Sequence, residues 1–298
     1  MSIHGSRPIE RIGYGAAVTN GPPSGHPVHR GVVPEVAARP RESPGRRRFP
    51  TADRGPTPGV AQIPDPYLTP LGRQQCAALQ AEFPAHDRIT HLVSSPMRRT
   101  LQTCQLSFQP AVDAGRKVVA QPLLQEMSRL PCDTGSEPEV LRAEFGAWGD
   151  FGLVGEGWND KTSPGSRWAP VVPSLEERAR ESRVWLRELG REALAAGGDH
   201  ADIVVTTHGG FLHFLTEDWE GMDFVAGTAW KNTEYRSYEF VQPDGDDTEA
   251  FIRETKTSWT RRRGSDIPPT EAEQQEWRKL IIASYNQHFA IINGEIVE

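Results

Sequence analysis

No apolar run in this 298-residue chain approaches the ~18 residues needed to cross a bilayer. The N-terminus also lacks the apolar core of a secretory signal. Cysteine is scarce. Cys76, Cys104 and Cys132 have no metal-type spacing and leave one over from any pairing, which points to a reduced, cytoplasmic protein. No G-x-S-x-G string occurs, which argues against a serine hydrolase even though His208-Gly209-Gly210 is present. Positive charge is also in deficit: 33 Lys and Arg against 40 Asp and Glu give −7, no general reason to expect nucleic acid. Lysine is missing altogether from residues 1–62, where nine Arg face four acidic residues, so that this segment is about +5 and the remainder about −12.

Residues 1–62 hold ten Pro and nine Gly, with Arg46-Arg47-Arg48 in their midst. Proline denies regular hydrogen bonding, glycine adds chain entropy, and hardly any apolar periodicity offsets either. The segment reads as an unstructured arm preceding one domain over 63–298. Pro8, Pro22, Pro23 and Pro27 argue against an amphipathic targeting helix. Without aromatic interleaving or a recognised module, its arginines do not make a nucleic-acid binder.

From residue 63 the texture becomes that of a folded domain. Thr69 is set to cap a helix that starts at Pro70 and carries apolar residues at helical spacing to Phe83. "ITHLVSS" reads as a strand, and the following helix is expected to begin at Pro96. "KVVAQPLLQE" reads as a strand entering a loop, and residues 148–168, rich in Gly and Trp, as an irregular insertion. Ser174 opens an S-x-x-E box (Ser174, Glu177) for a long helix ending near Ala196, closed by Gly197-Gly198. "ADIVVTT" is a continuous apolar run and predicts a buried strand. "EYRSYEFVQ" alternates like an edge or antiparallel strand, and Thr270 with Glu273 caps a last helix to about Ile291. Strands alternating with helices predict a three-layer α/β/α sandwich around a largely parallel sheet.

In such a sheet ligands sit outside the carboxyl ends of the strands, where helix N-termini present N–H groups. Two strand-to-helix junctions carry suitable side chains. Arg98 and Arg99 fall in the first turn after "HLVSS". His208 stands on the turn after "IVVTT", with Gly209 and Gly210 permitting close backbone approach. Guanidinium, imidazole and helix N-terminus together suit a phosphate dianion. Each also has a plain structural reading: surface arginine pairs are common, a single histidine after a strand is more often structural, and most residues like Glu126 are simply solvated. His213 lies five residues beyond His208 and should not share its helical face.

"LTPLGRQQC", "SSPMRRTLQT", "LLQEMSRLPCDTGS" and "VVTTHGGFLHFL", in that order, resemble the histidine phosphatase superfamily, the phosphoglycerate-mutase-like proteins. The likeness is closest to the fungal phosphomutase-like members, which "GTAWKNTEYRSYEF" also resembles, and it extends over roughly 63–241. It implies a phosphoglycerate-mutase-like fold and a phosphomonoesterase or phosphotransferase acting through a phosphohistidine on a small phosphorylated substrate. It implies no metal and no cofactor, and the charge balance and the lack of a long apolar run add no nucleic acid and no membrane. By the same resemblance Arg99 clamps the phosphate, Glu126 is the acid/base, and His208 stabilises the transferring phosphoryl group. Gly209 would let a backbone N–H reach it. The insertion at 148–168 and the loop around Trp219 would shape the leaving-group pocket.

The family's Arg-His-Gly or Arg-His-Ala, which ends its first strand and supplies the nucleophile, does not occur here. The nearest string, His29-Arg30-Gly31, reverses the first two residues, and one residue of slippage turns a strand side chain to the opposite face. His4 is no better placed. The first strand is therefore expected to be missing or displaced. Two origins fit: residues 1–62 replace the natural coding of this region, or the chain is a degenerate relative. A catalytically silent phosphate-binding or interaction protein of the same fold stays open beside the enzyme. Substrate, mutase versus phosphatase, and oligomeric state are not legible.

Overall fold

The computed structural model describes residues 11–16, 62–222, 228–264 and 267–293, with only the backbone given for 11–16 and 288–293. Seven strands form one sheet in the order β4-β3-β2-β5-β1-β6-β7. They are β1 (Arg11–Ala16), β2 (Ile89–Ser94), β3 (Val118–Ala120), β4 (Gly149–Asp150), β5 (Asp202–Thr207), β6 (Tyr235–Phe240) and β7 (Ile252–Glu254). From β4 through β1 the neighbours are parallel, while β6 runs antiparallel to both β1 and β7.

The apolar run of β5 reflects cover on both faces. Ile203 and Val205 pack with Leu175, Ala179, Phe211 and Leu212, which belong to α5 (Val172–Ala195) and α6 (Gly209–Thr216). Val204 faces the other way, with Leu92, Leu101, Phe108 and Val118. That second layer holds α1 (Pro70–Glu82), α2 (Arg98–Ser107), α3 (Gln109–Asp113) and α4 (Pro138–Phe145). The chain closes with α7 (Lys256–Arg263) and α8 (Glu271–Asn293). The fold is α/β, with a mostly parallel sheet between two helical layers.

Several local expectations hold to the residue. Thr69 caps α1 by accepting from Gly72 N–H at 3.1 Å. Thr270 and Glu273 cap α8 reciprocally, at 2.8 and 3.2 Å. Two starts move. The second helix begins at Arg98, with Met97 extended before it. The long helix begins at Val172, two residues ahead of Ser174, because Pro173 in its first turn supplies a helical φ and has no N–H to satisfy.

The sheet position expected to be missing or displaced is taken by Arg11–Ala16. It pairs from Arg11↔Asp202 to Ala16↔Thr207 on β5 and lies antiparallel to β6. A vacancy there would leave two rows of backbone groups unpaired in the middle of the sheet. Six residues of the arm are thus a strand. The rest of it up to residue 61, including His4 and His29, lies outside the described residues.

Candidate functional site

The carboxyl ends of β2, β5 and β1 lie side by side, with Ser94 opposite Thr206 and Ala16 opposite Thr207. Ser95 leaves β2 with its N–H on the Thr206 carbonyl at 2.9 Å, and His208 follows β5 as the residue capping α6. Ser95 and His208 are both fully buried, and Arg99 of α2 is 4% exposed. The three meet. Arg99 Nη2 lies 2.9 Å from His208 Nδ1, and His208 Nε2 lies 2.9 Å from Ser95 Oγ. A guanidinium only donates, so Nδ1 is the acceptor, the proton sits on Nε2, and Nε2–H donates to Ser95 Oγ. Burial, reinforced by the Arg99, Lys161 and Arg178 charges, holds His208 well below the ordinary histidine value. It is a neutral imidazole of defined tautomer.

Arg99 is held from a second direction. Nη1 donates to the Cys132 carbonyl at 2.5 Å, and Nη2 donates to Asp133 Oδ1 at 2.9 Å. Asp133 in turn accepts from Ser128 Oγ. Burial pushes the Cys132 thiol up to about 12.

Glu126 arrives on the loop after β3 and docks against the N-terminus of α6. Its Oε1 accepts from Phe211 N–H at 3.1 Å and Met127 N–H at 2.9 Å, and its Oε2 from Gly210 N–H at 3.4 Å. A helix N-terminus favours the anion. Burial and the Asp133 charge nevertheless raise this carboxyl above its ordinary value. A carboxyl that keeps its proton nearer neutral pH is suited to donating one.

Arg99, Glu126 and His208 are therefore brought together, and Arg98 is not. Its guanidinium turns away to Glu144, at 2.8 and 2.5 Å, and lies 5.0 Å from the centre of the Tyr67 ring. Successive helical residues face about 100° apart, so only one of the pair can reach β5. Gly209 also has a packing reason to be glycine. A Cβ there would meet the Thr228 methyl at 2.4 Å, so the missing side chain makes room for Thr228. Gly210 is the glycine that admits a functional group: a Cβ on it would stand 2.9 Å from Glu126 Oε1. His213 is buried and spans the Asp218 carbonyl and Thr228 Oγ1 at 2.5 and 2.8 Å, as a structural histidine.

Four residues of the site escaped the sequence reading. Ser95 and Asp133 lie inside quoted motifs but gave no signal apart from their neighbours. Lys161 and Arg178 gave none, because an isolated cation in an insertion and one in a helix rich in arginine look like solvated charge. Both are 2% exposed. Lys161 Nζ donates to the carbonyls of Glu126, Ser128 and Asp133, and burial pulls it down to about 7. Arg178 Nη2 donates to the Gln125 carbonyl at 2.8 Å. Its Nε and Nη1 are buried without a hydrogen-bond partner, its guanidinium lies 4.3 Å from the Phe211 ring centre, and burial pulls it down to about 9. Two guanidiniums and a lysine pulled down to about 7 thus surround Asp133, a carboxyl of raised pKa and a neutral imidazole, a balance that favours an anionic ligand.

Among characterised proteins, the chain is 36% identical over 89 residues to a probable phosphatase of Schizosaccharomyces pombe, a match spanning 29% of this chain and 41% of that protein. The chain thus matches less than half the length of this curated relative. Solved structures resemble it at lower identity. A mycobacterial glucosyl-3-phosphoglycerate phosphatase has a TM-score of 0.41 at 16% identity, covering 83% of this chain and 97% of that one. Another mycobacterial hydrolase gives 0.44 at 17%, covering 91% and 97%. The ecdysone phosphate phosphatase of Bombyx mori, in complex with tungstate, gives 0.43 at 16%, covering 74% and 79%. Among the described residues no helix is long and apolar enough to cross a membrane. Residues 57–251, more than half of the chain, match the model of the histidine phosphatase superfamily, branch 1, and the chain belongs to that superfamily.

Proposed function

We propose that this site binds a small phosphomonoester and is built for phosphoryl transfer through a phosphohistidine. Arg99 and the Nε2–H of His208 would hold the phosphoryl oxygens, with Ser95 surrendering its bond from His208 when the ligand enters. Glu126 would give its proton to the leaving oxygen as the P–O ester bond breaks. Phosphoryl transfer asks mainly for positioning and positive charge around the equatorial oxygens, which these groups provide. One observation carries this reading: the buried chain Arg99–His208–Ser95, with a carboxyl of raised pKa docked on the same helix terminus. The three thiols, all buried and unpaired, support a reducing compartment, which we take to be the cytoplasm.

A second reading has its own support. The strand beside β5 ends in Gly15-Ala16, and Ala17-Val18 follow in sequence. None of these residue types can attack phosphorus, so an imidazole nucleophile would have to come from elsewhere in the chain; the arm itself holds His4, His26 and His29. Without one the protein binds phosphate and does not turn it over.

Release of phosphate from an aryl phosphate by the whole chain, with His208→Ala and His29→Ala alongside, separates the two. Release abolished by His208→Ala supports the enzyme, and the His29→Ala result says whether the arm supplies the nucleophile. Tungstate binding lost in His208→Ala, with no release from the parent chain, supports the silent phosphate binder. Neither release nor binding overturns both readings.

A further inference from the structure

The loop that carries Glu126 has little regular structure of its own. Between Leu124 and Pro131 the chain makes neither helix nor strand, yet it must hold a raised-pKa carboxyl on α6 and deliver Asp133 to Arg99. Its order comes from another part of the chain. Lys161, in the insertion after β4, reaches across 28 to 35 residues to donate to the carbonyls of Glu126, Ser128 and Asp133 at 2.6, 3.0 and 2.6 Å. An ammonium has three N–H groups, and here each has its own carbonyl. The same short segment makes further bonds to the loop. Trp158 C=O accepts from Gln125 Nε2 at 2.8 Å, Lys161 C=O accepts from Arg129 Nε at 3.1 Å, and Asn159 Nδ2 donates to the Gly135 carbonyl at 2.8 Å.

Burying an ammonium is costly unless several dipoles converge on it. Simple packing needs no charge in such a place, and a methionine would fill it. We propose that Lys161 is a positioning residue for the catalytic loop: its ammonium, clasped by the carbonyls of residues 126, 128 and 133, sets Glu126 on α6 and Asp133 on Arg99 at once. The insertion that reads as irregular is thus the template of the acid loop. The proposal rests on the reading of Glu126 as the acid.

The test uses the full-length chain and Lys161→Met, which keeps the length of the side chain and removes the donors. Two of its readouts are independent of turnover. Charge-assisted hydrogen bonds are the stronger kind, so losing three of them should speed amide hydrogen exchange in 126–136 by at least about tenfold. Exchange in β5, at 203–207, should stay unchanged.

The second readout is the titration of the Glu126 carboxyl by carbon-13 NMR. Glu126 is faced by Asp133 of its own loop, Arg99 of α2, Lys161 of the insertion, Arg178 of α5 and Tyr285 of α8. Burial is the largest cause of its raised pKa, and the Lys161 charge works against that rise. Release of the loop admits water, so positioning predicts that the midpoint falls towards the ordinary glutamate value. A Lys161 that acts only as a nearby charge predicts that it rises. A fall with faster loop exchange supports the proposal. A rise, unchanged loop exchange, or equal acceleration in β5 overturns it.

If Lys161→Met does not fold, nitrogen-15 NMR of the lysine side chains in the parent chain decides. At pH 6, below the value of about 7 to which burial pulls Lys161, a slowly exchanging, hydrogen-bonded ammonium supports the clasp, and a fast-exchanging one rejects it. Aryl phosphate turnover is followed in parallel. Absence of turnover in the parent chain would count against the phosphatase reading alone, because both readouts above remain measurable.

Discussion

Arg99 Nη2 lies 2.9 Å from His208 Nδ1, and this contact decides which imidazole nitrogen carries the proton. The donor-only guanidinium leaves Nε2–H facing Ser95 at 2.9 Å. The consequence is that His208 acts as a hydrogen-bond donor on its open side. Ser95 is therefore not activated by it, since an activating base would have to accept from the hydroxyl. Nitrogen-15 NMR of the imidazole should show the Nε2–H tautomer at neutral pH. Arg99→Lys replaces a planar fork by a point charge and should weaken tungstate binding by roughly tenfold or more. Unchanged affinity would remove Arg99 from the proposed clamp.

Arg98 supplies the contrast. Its side chain serves Glu144 and Tyr67 on the flank of the domain, so Arg98→Ala should leave tungstate affinity within about twofold of the parent. The Arg98 side chain is only 15% exposed and also lies 3.9 Å from the buried Asp65, so the stability loss should exceed that of a surface pair, at about 1–3 kcal/mol. A chemical melt alongside a binding isotherm tests both halves.

The two buried histidines should make stability fall on mild acidification, against the opposite contribution of the raised carboxyls of Asp65, Glu126 and Glu217. Burial, then Arg99, lowers His208 well below the ordinary value, and burial lowers His213 to about 4. Both are neutral when folded, whereas in the unfolded chain each takes a proton near pH ~6.5. Their contribution is present above that value and is lost as pH falls towards the folded values. Between pH ~6 and ~5 the two together should steepen the loss by up to about 2.7 kcal/mol per pH unit. Urea melts from pH 7 to 5 measure it, and His213→Gln should remove about half of the slope. A slope unchanged in that variant would show that His213 titrates normally.

The two glycines of α6 should separate fold from chemistry. Gly209→Ala drives a Cβ to 2.4 Å from the Thr228 methyl and should destabilise by about 1–3 kcal/mol, as overpacking does. Gly210→Ala presses on Glu126 Oε1 and the Met127 methyl, at 2.9 and 3.0 Å. Both neighbours are side-chain ends able to shift, so the stability loss should be smaller. The Glu126 titration midpoint should fall as the carboxyl is displaced into water. Carbon-13 titration and thermal melts of the two variants would show the split, and equal effects in both would refute it.

The sequence by itself determined whatever depends on neighbours a few residues apart. The Thr69 cap, the Thr270–Glu273 box and the two-sided burial of β5 follow from side-chain identity and from periods of 3.6 and 2. Four ordered motifs were enough for the superfamily and for the strand ends where Arg99, Glu126 and His208 gather. Tertiary structure decided the rest. Which of Arg98 and Arg99 faces β5 depends on helix phase, set here by the path of Pro96 and Met97, both outside α2, between β2 and the helix. That the sheet is closed in its middle by Arg11–Ala16 depends on unpaired strand edges finding a partner, and no local propensity reports this demand. The clasp of Lys161 is made of carbonyls 28 to 35 residues away. Backbone carbonyls are the same in every sequence, so an ammonium that chooses among them becomes visible only once the chain has folded.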